Sequence, residues 1–163
     1  MLYQSPLGTL RISFDNDTLT EIKLCAENTV INHSTGMGNC PVSCEVTKWL
    51  DAYFAGEHPT HRNFDVSLNG TSFQKMIWQL LMEIPYGETI TYGQLAERAA
   101  RHMGIVRMSA QAVGQAVGAN PIAIVVPCHR VVGAGGKITG YAGGIDKKIW
   151  LLRHENPGII FRD

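Results

Sequence analysis

A small α/β unit followed by a mainly helical one is the architecture this chain encodes, and three patterns point to it. Leu7-Gly-Thr-Leu-Arg-Ile-Ser-Phe14 and Leu19-Thr-Glu-Ile-Lys-Leu24 alternate apolar and polar residues around Asp15-Asn-Asp17, the period-two pattern of a hairpin. Asn69-Gly70 breaks the chain. After it, Thr71 with Gln74 and Thr91 with Gln94 form two capping boxes, each opening a run with helical periodicity. The expected division is therefore residues 1–70 and 71–163.

Taken in order, the hairpin is followed by a polar stretch with Gly and Asn from Glu27 to Pro41. Val46, Leu50, Tyr53 and Phe54 then recur at helical spacing, so the first unit gains one helix. The helix opened by Thr71 presents Phe73, Ile77, Leu80, Leu81 and Ile84 on one face and ends at Pro85-Tyr-Gly87. The one opened by Thr91 buries Leu95, Ala96 and Ala99 over about three turns. A third helix runs from Ser109 to Gly118, and a closing helix led by Asp146 reaches Glu155. Two short helices separated by a turn have the form of a helix-turn-helix.

The third helix has an unusual composition. Ala110, Ala112, Gly114, Ala116 and Gly118 are tiny, Gln111 and Gln115 are polar, and Val113 and Val117 are left for a core. So thin a helix can approach another backbone closely, either within the protein or in a narrow nucleic-acid groove.

Hydrophobic residues make up 45% of the 163 and charged residues 17%, a composition that buries a core and argues against disorder. Net charge is zero, but four Lys or Arg face eight acids in residues 1–70, whereas ten face six in the remainder. That split fits a second half that meets a polyanion. No basic leader with an apolar run opens the chain, and no apolar stretch approaches the roughly 20 residues of a membrane span, so a cytoplasmic protein is expected. The N-x-[ST] matches at Asn16, Asn32 and Asn69 are then chance. Cysteines at 25, 40, 44 and 128 read as free thiols in a reducing compartment. Cys40 and Cys44 with His33 fit no common zinc spacing, and the preferred reading is free loop cysteines with no metal site.

The chemistry gathers at Cys128. The apolar run Ile122-Ala-Ile-Val-Val126 is stopped by Pro127, and Cys128-His-Arg130 emerges at its end. An adjacent imidazole and a guanidinium beyond it are expected to favour the thiolate. In extended backbone Cys128 and His129 point to opposite faces, so a turn or a bridging water is needed to couple them. Glu155 is an available carboxylate to orient the histidine, while His102 and His154 read as surface residues. Gly133-Ala-Gly-Gly136 and Gly140-Tyr-Ala-Gly-Gly144 lack the residues of a phosphate-binding loop and read as permissive loops able to bring amides near a ligand.

Pro127-Cys-His-Arg-Val131, preceded by Asn120-Pro121 and followed by Thr139-Gly-Tyr-Ala-Gly-Gly144 and Trp150-Leu-Leu-Arg-His-Glu155, resembles the O6-alkylguanine-DNA alkyltransferase family. The likeness covers residues 71–158 strongly, through Ile84-Pro-Tyr-Gly-Glu88 and Thr91-Tyr-Gly-Gln-Leu-Ala96 as well, and the first part loosely through Ser5-Pro-Leu-Gly8. It implies a ribonuclease-H-like α/β domain and a mainly α domain with a winged-helix-like helix-turn-helix that enters the minor groove. It also implies a monomer that flips the damaged nucleotide out of double-stranded DNA. The implied activity is irreversible transfer of the alkyl group from O6-alkylguanine to the protein, once per molecule and without a cofactor, with O4-alkylthymine as a further candidate substrate. By matching positions Cys128 is the nucleophile, His129 its base through a water, Glu155 the orienter of that histidine, and Asn120 the buttress of the cysteine turn. Tyr92 would crowd the phosphate of the flipped nucleotide and aid protonation of the leaving guanine. Tyr141 and the Ala142 amide would line the base pocket, Val131 would contribute backbone recognition, and Arg130 would contact substrate or DNA.

One position departs from the family. Its usual arginine in the small-residue helix is Gln111 here, which cannot supply the charge, so weaker binding or slower flipping is expected, with Arg107 as a possible compensation. The segment from Arg98 to Met108 is also longer than the family's turn. Two rival readings remain: a lesion-binding relative without transfer, against which Cys128 speaks, and a cysteine hydrolase using Cys128 and His129, which predicts repeated turnover.

Overall fold

The computed structural model describes residues 1–25 and 41–162. Two compact units result, Met1–Leu68 and Asn69–Asp163. In the first, β1 (Leu2–Ser5), β2 (Gly8–Asp15) and β3 (Thr18–Leu24) form an antiparallel meander, and after α1 (Pro41–Phe54) the short β4 (Asp65–Val66) adds in parallel beside β3. The expected hairpin is β2–β3, paired Ile12 to Ile22, with Asn16 in the left-handed region at its turn (φ 51°), a conformation asparagine tolerates well. Leu7, read as the start of a strand, lies instead in the β1–β2 turn, where the Ser5 hydroxyl donates to the Gly8 carbonyl at 2.7 Å. Leu10, Ile12, Leu19 and Ile22 meet Val46, Leu50 and Tyr53 of α1 in a core that is closed to solvent. Cys44 is exposed on α1 rather than in a loop; Cys40 and His33 lie outside the described residues.

The second unit is built from α2 (Ser72–Met82), α3 (Tyr92–Met103), α4 (Ala110–Gly118) and α5 (Ile145–Glu155). Both capping boxes are present in full, with the Thr71 and Thr91 hydroxyls accepting from the Gln74 and Gln94 amides at 3.1 Å and the glutamine side chains returning the bond. Ser109 caps α4 with its hydroxyl alone, accepting from the Ala112 amide at 3.2 Å. Ile77, Trp78, Leu81, Leu95, Ala99, Val113, Leu151 and Leu152 form the buried centre. The Trp78 indole donates to the Ala116 carbonyl at 2.8 Å, pinning α4 on α2 where the indole would otherwise bury an unpaired donor. Two strands that the sequence did not announce, β5 (Ile90–Thr91) and β6 (Val131–Val132), pair in parallel and bring the start of α3 beside the residues after Cys128. Among the described residues no helix is long and apolar enough to cross a membrane.

Candidate active site

Cys128 sits on a stack of tight turns. The apolar run before it is not a strand: Val125 N–H donates to the Ala123 carbonyl at 2.9 Å, closing a three-residue turn centred on Ile124, whose φ of 72° is rare for a β-branched residue. A second three-residue turn at Pro127 brings the Cys128 amide to the Val126 carbonyl at 2.8 Å. Asn120 secures both. Its Nδ2 donates to the Val126 carbonyl (2.8 Å) and to that of Ile122 (3.4 Å), and its Oδ1 accepts from the Ile122 amide (3.0 Å). From there Cys128–Arg130 form one turn of 3-10 helix in place of extended backbone, and no direct hydrogen bond joins the Cys128 sulfur to the His129 ring.

Behind that turn lies a buried ionic cluster centred on Glu155, at the end of α5. Its Oε1 accepts from His129 Nε2 at 2.7 Å and Arg130 Nη2 at 2.9 Å; its Oε2 accepts from Arg130 Nε at 2.8 Å and the Gly87 amide at 3.1 Å. Burial alone would raise the Glu155 pKa, but His129 and then Arg130 outweigh it and hold the carboxylate well below its usual range. His129 is fully buried, and that burial lowers its pKa against the pull of Glu155, so the ring is neutral. An ionised carboxylate can only accept. The proton of the neutral ring must then be on Nε2, which leaves the Nδ1 lone pair available. Among the described residues, Nδ1 has no protein hydrogen-bond partner.

Arg130 departs from its expected contact with substrate or DNA. Its third donor, Nη1, reaches the Ile84 carbonyl at 2.6 Å, and the residue is 9% exposed, so its guanidinium is used inside the protein to clamp the Pro85-Tyr-Gly87 turn to α5. Gly87 fits that clamp for two reasons: its φ is +77°, and a Cβ would stand 3.1 Å from the Glu155 carbonyl oxygen.

The expected route to a thiolate also needs correcting. Cys128 is 8% exposed, and burial pushes its thiol pKa up; Asn120, the Lys148 charge and the amides of Cys128 and His129 draw it back without cancelling that rise. The neutral imidazole and the engaged guanidinium supply no compensating charge. Lys148 was not anticipated. Its Nζ donates to the Val131 carbonyl at 2.6 Å, Thr139 at 2.9 Å and Gly140 at 3.4 Å, and stands 5.9 Å above the Tyr92 ring. Burial brings its pKa down to about 8, with Cys128 opposing. A signal existed: Lys148, Leu151, Leu152 and Glu155 recur at helical spacing on the buried face of α5, and a lysine there calls for carbonyl partners.

Of the other expected residues, Tyr92 opens α3 and is half-buried, and burial raises its pKa. The Tyr141 hydroxyl is buried with no hydrogen-bond partner among the described residues; burial first and Cys128 second raise its pKa far above the ordinary value. The Val131 carbonyl is bound by Lys148, and Ala142 is exposed. Gln111 and Arg107 are exposed, as are Ala110 and Gly118. A Cβ at Gly118 would meet nothing within 4 Å, so packing within the chain does not require that residue to be small. His102 is exposed, while His154 is half-buried and stacked on Trp150 with ring centroids 4.8 Å apart.

Comparison with known proteins identifies the family. Residues 1–68 match the ribonuclease-like domain, and residues 72–157 the DNA-binding domain, of 6-O-methylguanine DNA methyltransferase. A methylated-DNA–protein-cysteine methyltransferase of Methanosarcina acetivorans is 43% identical over 157 residues, covering 94% of this chain and 96% of its own length. The crystal structure of Mycobacterium tuberculosis O6-methylguanine methyltransferase superposes with a TM-score of 0.80 at 38% identity, over 98% of this chain and 93% of that one. A Mycobacterium tuberculosis OGT crystallised in complex with DNA gives 0.77 at 40%, over 96% and 91%. With both of its units matched over nearly their whole length, the chain belongs to the 6-O-methylguanine DNA methyltransferase family.

Proposed function

We propose that this protein repairs DNA by direct reversal, moving the alkyl group from O6 of guanine onto Cys128 once per molecule. The observation that carries the reading is the buried chain Arg130–Glu155–His129 beside a nearly buried cysteine on an Asn120-braced turn. Cys128 is kept as a thiol until substrate is bound, and Nδ1 of the neutral His129 is the base that accepts its proton through a water. Sulfur attacks the alkyl carbon, the carbon–O6 bond breaks, and the guanine leaves with a proton relayed on the Tyr92 side. A thioether remains. Thioethers do not hydrolyse, so the chemistry ends there.

On this reading a domain of residues 71–163, which falls within the second unit, binds double-stranded DNA through a winged-helix-like helix-turn-helix. Helices α3 and α4 form its core, and α4 presents its thin exposed side to the minor groove. Tyr141, the Ala142 amide and the second lone pair of the Val131 carbonyl receive the flipped base. The domain of residues 1–70 is ribonuclease-H-like; a meander, a helix and a parallel strand in that order support this. The protein acts as a cytoplasmic monomer.

Intact mass spectrometry after mixing with a duplex containing O6-methylguanine tests the reading. The expected result is a gain of one CH2 on Cys128, saturating at one per chain. Repeated turnover, or removal of the lesion by Cys128→Ser, would overturn it.

A further inference from the structure

The segment that joins α3 to α4 displays side chains that proteins usually cover. Met103 is 48% exposed, Ile105 43% and Val106 fully exposed; these are three of the five large exposed hydrophobic residues among those described. The segment is held at both ends. Gly104 closes α3 in the left-handed conformation (φ 67°), and the Ile105 amide returns to the Ala100 carbonyl at 3.0 Å. Ser109 caps α4 immediately beyond. Ile105 and Val106 are therefore presented by a short bridge between two capped helices, which limits the ordering entropy lost on binding.

Around this apolar tip cations outnumber acids, with Glu97 the acid nearest in the chain. Arg98, Arg101 and Arg107 are exposed and have no carboxylate partner among the described residues. No acid occurs between Glu97 and Asp146. A small apolar point flanked in the chain by Arg101 and Arg107 matches a polyanion with an apolar interior. Duplex DNA has that form, with phosphates on the outside and stacked bases within. The tip is too small to bury the wide apolar face by which amphipathic helices hold to anionic membranes.

We propose that Ile105 and Val106 form a wedge that enters the duplex beside the lesion and unstacks the neighbouring step, with Arg101 and Arg107 on the flanking phosphates. This rests on the DNA-repair reading above and adds to it a second point of entry, distinct from the exposed side of α4. The wedge acts on the duplex, while the chemistry at Cys128 is untouched.

The test compares the parent protein with Ile105→Ser/Val106→Ser for Cys128 alkylation by three substrates: an O6-methylguanine duplex, the same lesion in single-stranded DNA, and free O6-benzylguanine base. Both substituted side chains are solvent-facing, and a matching thermal midpoint confirms that the variant folds. The variant is expected to lose on the order of tenfold or more on the duplex, where a step must be unstacked, and to keep its single-strand and free-base rates. A 2-aminopurine placed beside the lesion should brighten with the parent and not with the variant. A duplex rate within about twofold of the parent overturns the wedge. So does an equal loss on all three substrates, or vesicle binding to anionic lipid that depends on these two residues while the duplex rate does not. Failure of the repair reading looks different: the parent itself alkylates Cys128 with none of the three.

Discussion

Asn120 and Lys148 hold the Cys128 turn by opposite means. Asn120 uses one amide to serve three backbone groups, so Asn120→Ala strands the Ile122 amide and withdraws a donor from the Val126 carbonyl. Leaving such groups unmet costs about 1–3 kcal/mol. The variant should unfold at correspondingly lower denaturant and, because the turn loosens, transfer methyl from the duplex more slowly; an unchanged single-turnover rate would show that the turn stands without it. Lys148 contributes charge as well as three carbonyl bonds. Lys148→Met removes a cation that draws the thiol pKa down. The pH profile for alkylation of Cys128 by iodoacetamide should therefore move to higher pH, and the rate near neutrality should fall on the order of tenfold for every pH unit that the profile moves.

At the scale of elements, α4 is the informative one. Its inner side, Val113, Ala116 and Val117, is core, and Trp78 ties its carbonyl backbone to α2. Its outer side stays thin where nothing in the chain presses on it. Gly118→Leu therefore has room, and leucine exceeds glycine in helix propensity by up to about 1 kcal/mol. Its thermal midpoint should hold or rise while repair of duplex lesions falls and reaction with a free base is unaffected. Equal duplex rates for the two proteins would mean that this side of α4 does not face DNA.

Across the whole molecule, the buried ionic cluster ties stability to pH. His129 has its pKa lowered by burial from an ordinary 6.5, so below that pH the unfolded chain takes up a proton the folded one refuses, and stability falls as pH falls. Glu155 is held below its ordinary 4.5, so from there downward the unfolded chain again binds the extra proton, and stability falls further. Both act in the same direction, and a folded pKa displaced by one pH unit from its unfolded value is worth about 1.4 kcal/mol. Urea midpoints should decline from about pH 6.5 and more steeply below about 4.5, and Glu155→Gln, weaker at neutral pH, should lose most of the lower limb.

Local signals decide what can be read from the chain alone. The β2–β3 hairpin, the two capping boxes and Ser109 at the start of α4 depend on residues two to four apart, and periodicity carries that information directly. The Pro127-Cys-His-Arg130 stretch marks where the chemistry lies, and Glu155 is legible as the partner of His129. What the chain order could not supply was set by distant segments packing together. β1, β4 and the β5–β6 pair are too short to show a period and exist because a neighbour offers its edge. The inward turn of Arg130, the carbonyl cage around Lys148 and the protonated state of Cys128 all follow from burial, which belongs to a place in the packed molecule and not to a residue type. Adjacent positive groups in the sequence suggest a ready thiolate; folding spent the guanidinium on Glu155 and dried out the imidazole, and so reversed the expectation.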